Sequence, residues 1–228
     1  MSRRERLHGR SRDEAIIEHA LGATMKLYYF PSPNPQKVRF AINELGLECE
    51  SVAVDLLKRE QRSPEFLALN PYGRVPVLVD GELTLWESHA ILAYLGETTG
   101  RLWPTSPAGR ADALRWLFFL TSAISPPASE VVFNRIAVKL SGGTPDEAAI
   151  ARGEKLLPEP LRIVDQHLAE RKWMLGNDFS LADCDYGPTF NVLDKAGFSF
   201  GDFSHVRAYL EAIRSRRAWQ ETPKLPGL

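Results

Sequence analysis

The chain has 228 residues, 44% hydrophobic and 25% charged, and its 28 basic and 29 acidic side chains leave a net charge of −1. That length builds one large domain or two small ones without help from metals or disulfides, the mixture excludes a disordered or fibrous chain, and the balanced charge offers nucleic acid and anionic lipid no attraction. No apolar run approaches the roughly 18 residues of a bilayer span, and two cysteines, Cys49 and Cys184, in neither CxxC nor metal-ligand spacing, read as free buried thiols of a reducing cytoplasm.

Residues 1–24 open with MSRRERLHGRSR, which holds five arginines and one leucine, too few apolar groups to fold alone. A secretory signal needs a long apolar stretch, and a transit peptide lacks acids such as Glu5, Asp13, Glu14 and Glu18. The expectation is a flexible arm or an upstream translation start, with Met25 as the natural beginning.

From Met25 the pattern changes. Lys26–Phe30 (KLYYF) is a β-rich run closed by Pro31, Pro33 and Pro35. Lys37–Leu45 places Val38, Ile42 and Leu45 at helical spacing, with Gly46 as its C-terminal glycine. Ser51–Val54 reads as a second strand, completing a parallel crossover. Ser63-Pro64-Glu65 starts a short helix. Val75–Val79 and Leu83–Trp86 flank the tight turn Asp80-Gly81-Glu82, and Ser88 opens another helix ending near Gly100. The sum is βαβ followed by ββα, a small α/β domain with a four-stranded mixed sheet. Arg101–Gly109 is the linker candidate.

Beyond it every long segment is helical. Ala111–Leu120 is strongly apolar, and Pro126-Pro127 bends or interrupts the helix that continues toward Val138. Thr144-Pro145-Asp146-Glu147 starts a helix that Pro158 and Pro160 would kink. Ser180-Leu181-Ala182-Asp183 is a capping box, and Val206–Arg217 makes one more amphipathic helix. The division is an extension at 1–24, an α/β domain at 25–102 and an all-helical domain at 103–228.

This layout and five local signatures resemble the cytosolic glutathione transferase family, over about 200 residues from Met25 onward. The signatures are Phe30-Pro31-Ser32-Pro33-Asn34, Asn70-Pro71-Tyr72-Gly73, Arg74-Val75-Pro76-Val77-Leu78, Leu85-Trp86-Glu87-Ser88 and Ser180-Leu181-Ala182-Asp183. The resemblance implies a thioredoxin-like first domain, glutathione as co-substrate, a small electrophile or a disulfide as the second substrate, and a homodimer. Glu87-Ser88 ends a strand and begins a helix, where free N–H groups meet a carboxylate; by resemblance the pair holds the γ-glutamyl group. In similar proteins the Val75–Pro76 bond is cis, and the Val75 backbone pairs with the cysteinyl part of glutathione like an added strand. Gln61 and Arg74 are candidates for the glycine carboxylate.

The family places its thiol-activating donor just after the first strand, where a hydroxyl or N–H stabilises the thiolate. Ser32 is the first choice and Asn34 the second, with Tyr29, inside the strand, left open. The Ser-Pro-Asn step is most similar to bacterial Nu-type and yeast prion-related members, which also reduce disulfides with glutathione. No cysteine lies in the loop, unlike the classes that form a mixed disulfide there and unlike glutathione-assisted isomerases and dehalogenases. A non-catalytic glutathione-binding or regulatory protein on the same fold is the alternative. His89 reads as a partly exposed helix residue, and Asp183 as part of the family's folding-related cap. Trp116, Phe118 and Phe119 read as core packing, with an electrophile pocket as the other option.

Overall fold

The computed structural model describes residues 25–224; the expectations for residues 1–24 lie outside them. Strand β1 (Met25–Tyr29) runs parallel to β2 (Cys49–Ala53) and antiparallel to β3 (Val77–Asp80), which pairs in turn with β4 (Leu83–Trp86). The order β2-β1-β3-β4 is the four-stranded mixed sheet the breakers outlined. The register Met25↔Cys49 starts β2 two residues earlier than its apolar letters suggest and leaves Cys49 half-buried on an edge strand, not buried as expected. Burial still pushes its thiol up to about 11, against a smaller opposing pull from Arg39.

The crossover is helix α1 (Pro33–Leu45). It stops because Gly46 takes φ 64°, where the Gly46 and Leu47 N–H groups close onto the Asn43 and Ile42 carbonyls. Helix α2 (Pro64–Leu69) is capped by the Ser63 hydroxyl, which accepts from Phe66 N–H at 3.2 Å. Helix α3 (Ser88–Thr99) follows β4 and ends at Gly100, φ 62°. The alternation of β1 decides which side each covers. Leu27 and its partner Leu78 belong to the main core with α1 and α3, while Val77 packs with Val54, Phe66 and Tyr28 under α2.

Pro107–Val138 is one continuous helix of 32 residues. Its parts are α4 (Pro107–Phe119), a π-helical turn at Leu120–Ile124, α5 (Ser125–Val132) and a second π turn at Phe133–Val138. The first π turn answers Pro126-Pro127: Ser125 N–H reaches back to the Leu120 carbonyl, the ladder widens ahead of the two missing donors, and the helix runs on without interruption. By length, and by a mean hydropathy of 1.2 over an 18-residue window, this helix matches a bilayer span, which a search for unbroken apolar runs does not reveal. Its stripe Leu117, Leu120, Ile124, Ala128 and Val131 is buried in the protein core.

Helices α6 (Glu147–Leu156) and α7 (Pro158–Leu168) are separated at Leu157, so Pro158 takes the first position of a new helix, where its missing N–H costs nothing. Helix α8 (Leu181–Lys195) is buried from Leu181 to Leu193 and is the axis of the helical half. Its start is fixed by Asp183. One carboxylate oxygen accepts from the Ser180 N–H and hydroxyl, both at 2.8 Å; the other accepts from Met174 N–H at 2.8 Å and the Tyr209 hydroxyl at 3.0 Å. Helices α9 (Ser204–Arg214) and α10 (Arg217–Gln220) complete this half.

Between the halves, α1 and α3 lie sandwiched by the sheet and α8 within a single core. The C-terminal segment straps α1 from outside. Asn43 donates to the Ala218 carbonyl and the Thr222 hydroxyl, both at 3.2 Å, and Gln36 to the Pro223 carbonyl at 3.0 Å. Arg216 pairs with Glu44 at 2.7 Å while its guanidinium lies 3.6 Å over the Phe179 ring.

Candidate active site

The sheet register brings the separate sequence signatures together. Tyr28 pairs with Val77 and Val77 with Trp86, so Tyr29-Phe30, Val75-Pro76 and Glu87-Ser88 all leave the sheet at one end. There they line a cavity of about 1520 Å³ between the sheet half and the helical half. Ser32, Asn34, Arg74, Val75, Pro76, Glu87 and Ser88 are all on its wall, as is Tyr29.

Ser32 is the N-cap of α1 in extended conformation, and its side chain makes no capping bond. Pro33 and Pro35 remove two of the donors that a helix start ordinarily offers, so Asn34 alone among the first three helical residues carries a backbone N–H. The donors here are therefore one hydroxyl and one amide. The Val75–Pro76 bond is cis, as the family pattern implies.

At the second helix start Glu87 has φ 74° and ψ 113°, outside the comfortable regions for a residue with a side chain. This conformation turns the chain from β4 into α3 within one residue, at a cost of about 1–3 kcal/mol that the surrounding packing sustains. Ser88 follows as the buried first residue of α3. The Glu87 side chain caps nothing, so the first-turn N–H groups of this twelve-residue helix stay available to an anion.

Gln61 is the exception. It lies half-buried in the 3-10 turn Glu60–Arg62, off the cavity, with its carbonyl packed behind the Asn70–Gly73 loop. Gly73, at φ 65°, has no room for a side chain, because a Cβ would stand 2.9 Å from the Gln61 carbonyl oxygen. Glu60 lines the cavity instead and accepts from Asp55 N–H at 2.7 Å. Arg74 is exposed and held over the Tyr72 ring at 5.2 Å.

The aromatic option for the second wall is also corrected. Trp116 is buried against His167 at 4.2 Å, Phe118 is 63% exposed, and none of Trp116, Phe118 and Phe119 lines the cavity. The wall comes from the same helix around and after the prolines, at Ser125, Ala128, Ser129, Val132, Phe133 and Ile136, with Leu140 just past it and Thr189 and Val192 of α8 beside it. The signal was present as three- and four-residue spacing from Ser125 to Leu140. Phe133 and Leu140 are 60% and 64% exposed at the mouth, opposite Leu57 of the sheet half.

One buried cluster was missed in sequence. The Asp185 carboxylate, fully buried on α8, meets Lys37 Nζ of α1 at 2.9 Å and His89 Nε2 of α3 at 3.1 Å. His89 is thus no idle helix residue; its Nε2 also lies 3.0 Å from the Thr121 hydroxyl in the first π turn. Burial pushes the Asp185 carboxyl up, but the Lys37 ammonium and His89 outweigh it and hold it below the ordinary carboxylate range.

Comparison with known proteins agrees with this geometry. Residues 23–97 match the glutathione S-transferase N-terminal domain and residues 147–212 the corresponding C-terminal domain. Glutathione S-transferase 3 of Zea mays is 37% identical over 209 residues, covering 88% of this chain and 93% of its own. The chain belongs to the glutathione S-transferase family. The disulfide-bond oxidoreductase YfcG of Escherichia coli is 32% identical over 200 residues, 84% of this chain and 91% of that protein. Among solved structures, a Pseudomonas fluorescens family member with two glutathione molecules bound superposes with a TM-score of 0.79 at 28% identity, covering 93% of this chain and 99% of the other. This glutathione S-transferase is accordingly a glutathione-dependent enzyme on a thioredoxin-like and helical two-part fold.

Proposed function

We propose that this transferase activates glutathione with the Ser32 hydroxyl, assisted by the backbone N–H of Asn34, and presents the thiolate to a small hydrophobic electrophile or a disulfide. The observation that carries the reading is the convergence of Ser32, Val75-Pro76 and Glu87-Ser88 at one sheet end, facing the apolar stripe from Ser125 to Leu140. A free cysteine-like thiol has a pKa near 8.5 and is mostly protonated at neutral pH; each unit by which the donors lower it is worth about 1.4 kcal/mol. In conjugation the thiolate forms a C–S bond and expels the leaving group with its electron pair. In exchange it attacks one sulfur of a disulfide and releases the other as thiolate. The likeness to YfcG supports the second chemistry, and the apolar mouth supports the first.

The Val75 backbone docks the tripeptide, Glu87-Ser88 grips its γ-glutamyl end, and Arg74 reaches the glycine carboxylate. A cytoplasmic homodimer acting in detoxification is the setting this family pattern suggests. The test is steady-state turnover with glutathione and chlorodinitrobenzene, and separately with a small mixed disulfide. Ser32→Ala should lower kcat about 10- to 100-fold and leave the glutathione KM within about threefold. An unaffected Ser32→Ala beside a dead Asn34→Ala would assign the thiol to the wrong residue here, and a wild type no faster than buffer with both substrates would overturn the reading.

A further inference from the structure

The two helix starts that hold glutathione in the reading above are joined to the opposite wall by one buried carboxylate. Ser32 begins α1 and Ser88 begins α3. Lys37 lies just over one turn into α1, and His89 is the second residue of α3. Both converge on Asp185, whose partners Lys37 and His89 are 1% and 17% exposed, so these contacts operate at low dielectric. On α8, Thr189 and Val192 follow Asp185 by four and seven residues and so occupy the same helical face. Both line the cavity, and the Thr189 hydroxyl donates to the Asp185 carbonyl at 3.3 Å. His89 extends the link to Thr121, in the π turn that sets the direction of α5 and its cavity stripe.

We infer that Asp185 is a positioning residue for the second substrate: through Lys37 and His89 it sets the spacing between bound glutathione and the helical wall. The inference rests on the proposed glutathione site. Glutathione docks on the sheet half alone, so its affinity does not depend on that spacing. The electrophile touches both halves, and a displacement of about 1 Å at a reacting pair can cost as much as 100-fold in rate.

The test separates positioning from stability. Replacing a buried ion pair by apolar residues of similar volume is often neutral or stabilising, whereas removing one partner strands the other. In Lys37→Met/Asp185→Leu, folding is checked by circular dichroism. Glutathione and S-hexylglutathione affinities are measured by calorimetry, and turnover with chlorodinitrobenzene and a small mixed disulfide. The double variant should bind glutathione within about twofold of wild type, lose about tenfold of the extra affinity for S-hexylglutathione, and lose about tenfold in kcat/KM for chlorodinitrobenzene with little change for the small disulfide. A folded double variant that keeps the extra S-hexylglutathione affinity within twofold, or that weakens on glutathione in parallel, overturns the inference. If the double variant does not fold, His89→Gln is measured in its place. A drop of about threefold in the same affinity ratio supports the link to α3, and an unchanged ratio overturns it. A wild type that binds both ligands but turns over neither substrate removes the proposed chemistry, while the affinity ratio still decides the role of Asp185.

Discussion

Asp183 gives the most quantitative handle on this fold. Its fully buried carboxylate is pushed up from 3.8 to about 6, because the loss of water outweighs the bonds from Met174, Ser180 and Tyr209. The folded state therefore favours the protonated acid, and the rise corresponds to about 3 kcal/mol. The sign follows from linkage. A raised folded-state pKa contributes stability that is full below 3.8 and is lost as the pH rises through about 6. Between pH 7.5 and pH 5 the wild type should gain roughly 1 kcal/mol from this group. Asp185, held below its ordinary value, titrates under that window. His167, lowered by burial, titrates within it with the opposite sign in all three proteins compared below, so the difference between wild type and Asp183→Asn isolates the Asp183 share.

Asp183→Ala at pH 7.5 leaves four donors without their acceptor. Each orphan costs about 1–3 kcal/mol, and relief of the buried charge offsets about 3 kcal/mol, so the net loss should be about 4 kcal/mol. Asp183→Asn keeps one oxygen and no charge. Its loss should be smaller, and the pH 7.5 to 5 gain should vanish. Urea unfolding of the three proteins at both pH values reads this directly. A pH 7.5 to 5 change in Asp183→Asn equal to that of the wild type, or an Asp183→Ala cost under about 1 kcal/mol, would refute the reasoning.

Two further outcomes follow from the geometry. Ser88→Ala removes the hydroxyl at the start of α3 and should raise the glutathione KM about tenfold while kcat stays within about threefold, read from initial rates at saturating electrophile. Gly153→Ala would place a Cβ 2.5 Å from the Pro127 carbonyl oxygen and 2.8 Å from Val131 Cγ2, forcing α6 away from α5. It should cost about 1–3 kcal/mol in denaturant unfolding, with an unchanged midpoint contradicting the close approach.

Much of the sheet half was legible because its boundaries are punctuated locally. Pro31, Gly46, the Gly81 turn and Gly100 each mark an element end in the fold. Four of the five quoted signatures fall at a strand end or helix start, and the fifth, Asn70–Gly73, is the loop after α2. Gln61 stands off the cavity wall because the Glu60–Arg62 turn packs its backbone carbonyl behind Gly73, an approach of two turns that no local signal marks. Cys49 misled because a strand edge is a property of the register with β1. The Asp185 cluster was invisible for a stronger reason. Its acid stands between Cys184 and Tyr186 in a helix buried on every side, so no amphipathic stripe marks it out. Its partners lie 148 and 96 residues upstream, at positions 37 and 89. The wall from Ser125 to Leu140 was hidden by its prolines, which suggest a break where a widened turn carries the helix on.

The strap over α1 bears on how the enzyme is made. Gln36 and Asn43 find their acceptors on Ala218, Thr222 and Pro223, and Glu44 its cation on Arg216. Synthesis delivers these groups only after the whole sheet half has emerged from the ribosome. The helix that begins at Ser32 is therefore completed by residues translated well after it, and a chain cut short before Arg216 carries Ser32 and Asn34 without the contacts that seat their helix.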